Sequence, residues 1–98
     1  PQGISSSPMA HVIHDRNKLL ARVRRIGGQV AALEKALQEG ADCADLLVQT
    51  GAAKGAMHGL MMEVLAGHLA EHVVAEDDAR DRAREAEVVL ALMRSLGR

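Results

Sequence analysis

The stretch GHLAEH, residues 67 to 72, sets His68 and His72 four positions apart inside an otherwise apolar run. On a helix of 3.6 residues per turn, residues at that spacing project from one face, so both imidazoles come within reach of a single ion. Alone, such a pair is more often surface decoration than a metal site, and only further ligands make the metal reading specific. The one cysteine, Cys43, supplies the only thiol in the chain. Its solitude excludes an intramolecular disulfide and is compatible with a reducing compartment, where a lone thiol can be buried, reactive or a ligand.

Helices must position these groups. The 98 residues contain no Phe, Tyr or Trp, so the core is built from Leu, Val, Ile, Met and Ala, which suits packed helices far better than sheets. An all-α fold with three helices per chain is predicted. From Asp15 onward Leu19, Leu20, Val23, Ile26, Val30, Leu33 and Leu37 recur at three- and four-residue steps, one helix face that Gly40 ends. Gly27-Gly28, unfavourable in a helix interior, is expected to mark close packing or a bend. Asp42 caps a second, long helix that runs to about Val74, and the acidic stretch EDDARD breaks and recaps the chain for a third helix carrying Val88 to Leu96.

That second helix begins at Cys43 and carries His68 and His72 at its end. Twenty-five residues at 1.5 Å each separate Cys43 from His68 by roughly 38 Å, so one chain cannot bring them to a shared ion. Two antiparallel copies crossing near Met57 and His58 would. The crossing region, Gly51, Ala52, Ala53, Gly55, Ala56 and Gly59, is small-sided enough for close backbone approach, and a two-fold axis there would place each Cys43 beside the partner's two histidines. Packing of the same small residues against the first helix accounts for them equally well.

Charge is distributed unevenly. Residues 16 to 25, RNKLLARVRR, carry five bases and no acid, whereas from Glu63 to the end acids outnumber bases by eight to five. One face is thus suited to an anionic partner, although a solvated helix surface has the same signature. No apolar run is long enough to span a bilayer and no export signal is recognisable, which makes a cytoplasmic location the expectation. PQGISSSP, residues 1 to 8, reads as a flexible extension preceding a natural start at Met9, with residues 9–98 forming a single domain.

The segments ARVRRIGGQVAALEKAL (21 to 37), DCADLLVQTGAAKGAMHGLM (42 to 61) and EVLAGHLAEH (63 to 72) resemble the small all-helical bacterial repressors that sense copper, nickel and cobalt, or formaldehyde. The resemblance covers nearly everything from Met9 onward and is nearest to the nickel and cobalt branch, whose opening is matched by MAHVIHD. It implies an antiparallel helical dimer, a flat dimer-of-dimers tetramer, and operator DNA bound when the sensing sites are empty. Carried over by position, the ligands would be His11, Cys43, His68 and His72, joined by the amine of Ala10 where Met9 has been removed. Copper sensors of the family carry a second Cys where this chain has His72, and monovalent copper prefers thiolates, so the resemblance points to nickel or cobalt, with zinc also suited to mixed nitrogen and sulfur donors. Formaldehyde sensors use the same Cys with a Pro just after the initiator Met, a position that is Ala10 here.

The expected function is a metal-responsive repressor that releases its operator on binding metal and so derepresses efflux or resistance genes. Arg22, Arg25 and Lys54 are the first candidates for phosphate contacts, supported by Lys18, Arg16 and Arg24, with Gln29 adding a polar contact. No helix-turn-helix is recognisable, so charge and DNA shape would carry recognition. A formaldehyde-responsive repressor and a metal carrier that never touches DNA are the alternatives. An enzyme with Cys43 as nucleophile is not expected, because no acid or amide is evidently arranged to orient His68 or His72 as a base. Thiolate and neutral imidazoles must shed protons to bind, so metal affinity should fall on acidification.

Overall fold

A computed structural model describes the backbone over residues 8–97 and side chains over residues 15–97. Of the flexible extension expected over residues 1 to 8, all but the backbone of Pro8, which opens the first helix, lies outside the described residues, as do the side chains of Ala10 and His11. Three α-helices follow one another: α1 (Pro8–Gln38), α2 (Cys43–Leu69) and α3 (Ala79–Leu96), with a five-residue π-helical turn, Ala70–Val74, continuing α2. Among the described residues there is no strand, in keeping with the aromatic-free composition.

Each junction has a local chemical cause. After α1 the chain adopts a left-handed conformation at Gly40, φ 76°, which glycine takes without a Cβ penalty. There the Ala41 amide donates to the carbonyl of Ala36 and the Gly40 amide to that of Leu37, the paired bonds of a Schellman ending. Asp42 caps α2: its Oδ1 accepts from the Asp45 amide at 2.9 Å. Asp78, with extended backbone, caps α3 by accepting from the amides of Arg80 and Asp81, both at 2.9 Å. The loop before it is tied by the Arg82 guanidinium, which donates to the Glu76 carbonyl at 2.8 Å.

The chain divides into two compact units between Met61 and Met62. In the first, α1 lies antiparallel to α2: Arg22 reaches Gly59, while the later residues Gln29, Lys35 and Glu39 share a shallow groove with Gln49 and Ala52. Ile26, 6% exposed, is its buried apolar residue among those described. In the second unit α3 packs against the π-helical turn, and Val89 is buried at 7% exposure. α2 is apolar around much of its circumference, yet none of its residues is buried, with Leu47 at 70% and Val48 at 73% exposure.

The glycines divide along the same lines. A Cβ on Gly27 or Gly28 would meet nothing within 4 Å, so close packing within the chain does not account for that pair. In α2 the half-buried Ala53, Ala56 and Gly59 lie on one side, while Gly51 and Gly55 are open. The small-residue stretch thus serves α1 with one face and leaves another uncovered.

Candidate functional site

His68 occupies the last turn of α2 and His72 the π-helical turn, so the two sit on either side of a change in helical hydrogen bonding, where the Ala75 amide donates five residues back to Ala70 at 3.0 Å. A continuous α-helix to Val74 was the expectation; the backbone is α-helical only through Leu69. The imidazoles nevertheless stay together, ring centroids 4.9 Å apart and planes tilted by 45°. π-turns inside α-helices recur at functional sites because they re-aim side chains.

Each histidine has a carboxylate near one nitrogen. His68 Nε2 lies 3.2 Å from Glu85 Oε1, and His72 Nε2 lies 3.8 Å from Glu71 Oε2. The first is an ion-pair approach rather than an aligned hydrogen bond, since His68 Nε2 lacks a partner of hydrogen-bonding geometry. With a carboxylate near Nε2, Nδ1 is the nitrogen that could donate to an ion. Glu85 corrects the sequence reading, which found no acid to orient these rings: it lies on α3, brought to His68 by tertiary packing alone.

Cys43 is the first residue of α2, exposed and with a free thiol. Among the described residues no group of three His, Cys, Asp or Glu side chains is gathered to hold an ion. The nitrogen and sulfur donors described are the paired imidazoles and the thiol. Such mixed nitrogen and sulfur donors suit divalent nickel, cobalt or zinc.

The basic candidates are also sorted by the helices. On α1, Lys18, Arg22, Arg25 and Gln29 follow one another at three- and four-residue steps and share a face, whereas Arg16 and Arg24 fall on the far side of the same helix. Lys54 is exposed on α2. Arg16, Lys18, Arg24 and Arg25 are exposed, and Arg22 is half-buried, its guanidinium lying over α2. Gln29 turns its amide oxygen inward, buried without a hydrogen-bond partner, beside the groove that Lys35 and Glu39 border.

A family model described as "Metal-sensitive transcriptional repressor" matches residues 15–96. The chain belongs to the metal-sensitive transcriptional repressor family. Transcriptional repressor RcnR of Escherichia coli is 47% identical over 87 residues, covering 89% of this chain and 97% of that protein. RcnR of Citrobacter koseri matches to the same extent. A Serratia marcescens protein named for its position in the bioA 5' region is 47% identical over 88 residues, 89% of this chain and 97% of its own length. Among solved structures, a variant of the formaldehyde-responsive regulator FrmR from Salmonella enterica serovar Typhimurium aligns with TM-score 0.78 and 41% identity, covering 84% of this chain and 93% of that one. These likenesses bear out the recognised family and its three-helix fold. This repressor family consists of transcriptional regulators, and no helix of the described residues is long and apolar enough to cross a membrane.

Proposed function

We propose that this metal-sensitive repressor responds to nickel or cobalt, holding operator DNA when metal-free and releasing it when metal binds. The observation that carries the reading is the His68 and His72 pair, with Glu85 set against one ring nitrogen of His68. In a dimer whose α2 helices cross antiparallel, the partner's Cys43 would complete this pair, and His11 with the amine of Ala10 would add further donors. Zinc would fit the same donors. A bound ion would supply positive charge; the chain's part would be to orient the imidazoles and offer a thiolate. The protein acts by binding, as a cytoplasmic homodimer or homotetramer, and catalyses no reaction.

Lys18, Arg22, Arg25 and Lys54 would meet DNA phosphates, with Gln29 beside them. Arg16 and Arg24, on the other side of α1, would contribute to the surrounding positive field. Linkage requires that DNA weaken metal binding by the same factor by which metal weakens DNA binding.

A DNA titration tests the reading, using protein beginning at Ala10, duplex from the chain's own upstream region, and nickel, cobalt or zinc. Metal-free protein should retain the duplex, nickel or cobalt should release it, and Cys43→Ala should stay bound with metal present. Tight metal binding without any DNA retention would instead make the protein a metal carrier. Release by formaldehyde and not by metal would place it with the formaldehyde sensors, a reading favoured by the likeness to FrmR and opposed by Ala10 and His72.

A further inference from the structure

Gly59 stands apart from the other described glycines of α2. A Cβ at Gly51, Gly55 or Gly67 would meet nothing within 4 Å, whereas one at Gly59 would lie 3.1 Å from Nη1 of Arg22. The guanidinium therefore rests over bare backbone, at a point where any other residue would set a side chain. Arg22 shares the α1 face of Lys18, Arg25 and Gln29, and in that row it is the one whose head group is brought against α2 at a glycine. A long cationic side chain loses much rotamer freedom when it is fixed on a phosphate, and holding its planar head in place beforehand reduces that loss.

We propose that Gly59 is a positioning residue for DNA binding: its missing side chain seats the Arg22 guanidinium against α2, from where it meets a DNA phosphate. This rests on the operator-binding reading above. The seat also ties a phosphate-contacting residue to the helix that begins at Cys43 and carries His68 in its last turn.

The test compares wild type, Gly59→Ala, Gly59→Leu, Arg22→Ala and the double variant Gly59→Leu/Arg22→Ala, as full-length metal-free protein on fluorescent duplex across a salt series. Gly59→Leu should weaken binding about as much as Arg22→Ala, on the order of tenfold, and lower the magnitude of the log-log salt slope by about one. The double variant should bind no more weakly than Arg22→Ala alone, because both changes remove the same contact. Gly59→Ala needs the guanidinium to give by only a few tenths of an ångström. It should lose affinity by roughly two- to threefold while melting no lower than wild type, since Ala is the better helix former.

Wild-type affinity and slope in both Gly59 variants would overturn the proposal, as would losses that multiply in the double variant. If Gly59→Leu does not fold, Gly59→Ala decides: a loss that disappears in an Arg22→Ala background supports the seat, and no loss overturns it. A wild type that never retains duplex overturns the operator-binding reading and the seat with it, whereas wild-type retention with unaffected variants removes the seat alone.

Discussion

At His68 the decisive detail is which nitrogen is occupied. Glu85 Oε1 lies 3.2 Å from Nε2, so in the proposed site Nδ1 would be the nitrogen that faces the metal. Supporting carboxylates of this kind typically change metal affinity by about 10- to 100-fold, and Glu85→Ala is expected to weaken nickel or cobalt binding within that range. Competition against a chromophoric chelator measures it, with DNA retention by the metal-free variant remaining at the wild-type level. Affinity equal to wild type would remove Glu85 from the site. At His72 the expected change is in kind: His72→Cys adds a thiolate to the donor set and should raise monovalent copper affinity relative to nickel. A metal preference unchanged by that substitution would count against His72 as a ligand.

Elements are held at their ends by a few short-range bonds, and these were the most readable part of the sequence. Asp42, Gly40 and the stretch EDDARD were legible because a cap needs a side-chain acceptor and a left-handed residue needs no Cβ, both local requirements, although which acid of EDDARD caps α3 was settled only by the fold. Asp78→Ala would leave the amides of Arg80 and Asp81 without their acceptor and is expected to cost about 1 kcal/mol. Gly40→Ala, at φ 76°, should cost a similar amount, on the order of 1 kcal/mol, by straining the turn into α2. Urea unfolding of metal-free protein measures both, and a midpoint equal to wild type in either would show that the end frays without consequence. Less was legible where the cause is not local. No residue type in AEHVV marks the π-helical turn, and Glu85 lies far along the chain from the histidine it faces. The pairing of His68 with His72 was readable from helical periodicity; the carboxylate beside His68 was not, because α3 packs against the π-helical turn through tertiary contacts.

For the molecule as a whole, α2 poses the energetic question. A helix that is apolar on most sides is normally buried, yet this one has no buried residue, and its open side runs through Leu47, Gly51, Gly55 and His58 beside Val48. Covering Leu47 and Val48 fully would contribute roughly 1.5–3 kcal/mol each, and Gly51 and Gly55, open to 4 Å, would admit a second backbone between them. An antiparallel copy of α2, as proposed above, would be an occupant that also brings a partner's Cys43 toward His68 and His72. Gly55→Leu separates this arrangement from a self-sufficient chain, because it fills the open face without touching a proposed ligand. The variant should sediment with a larger monomer fraction than wild type at micromolar concentration. Its nickel affinity should fall in step with dissociation and recover as protein concentration rises. Full nickel affinity in a monomeric Gly55→Leu protein would mean that one chain assembles its site unaided, and the crossing of two α2 helices would lose its chemical reason.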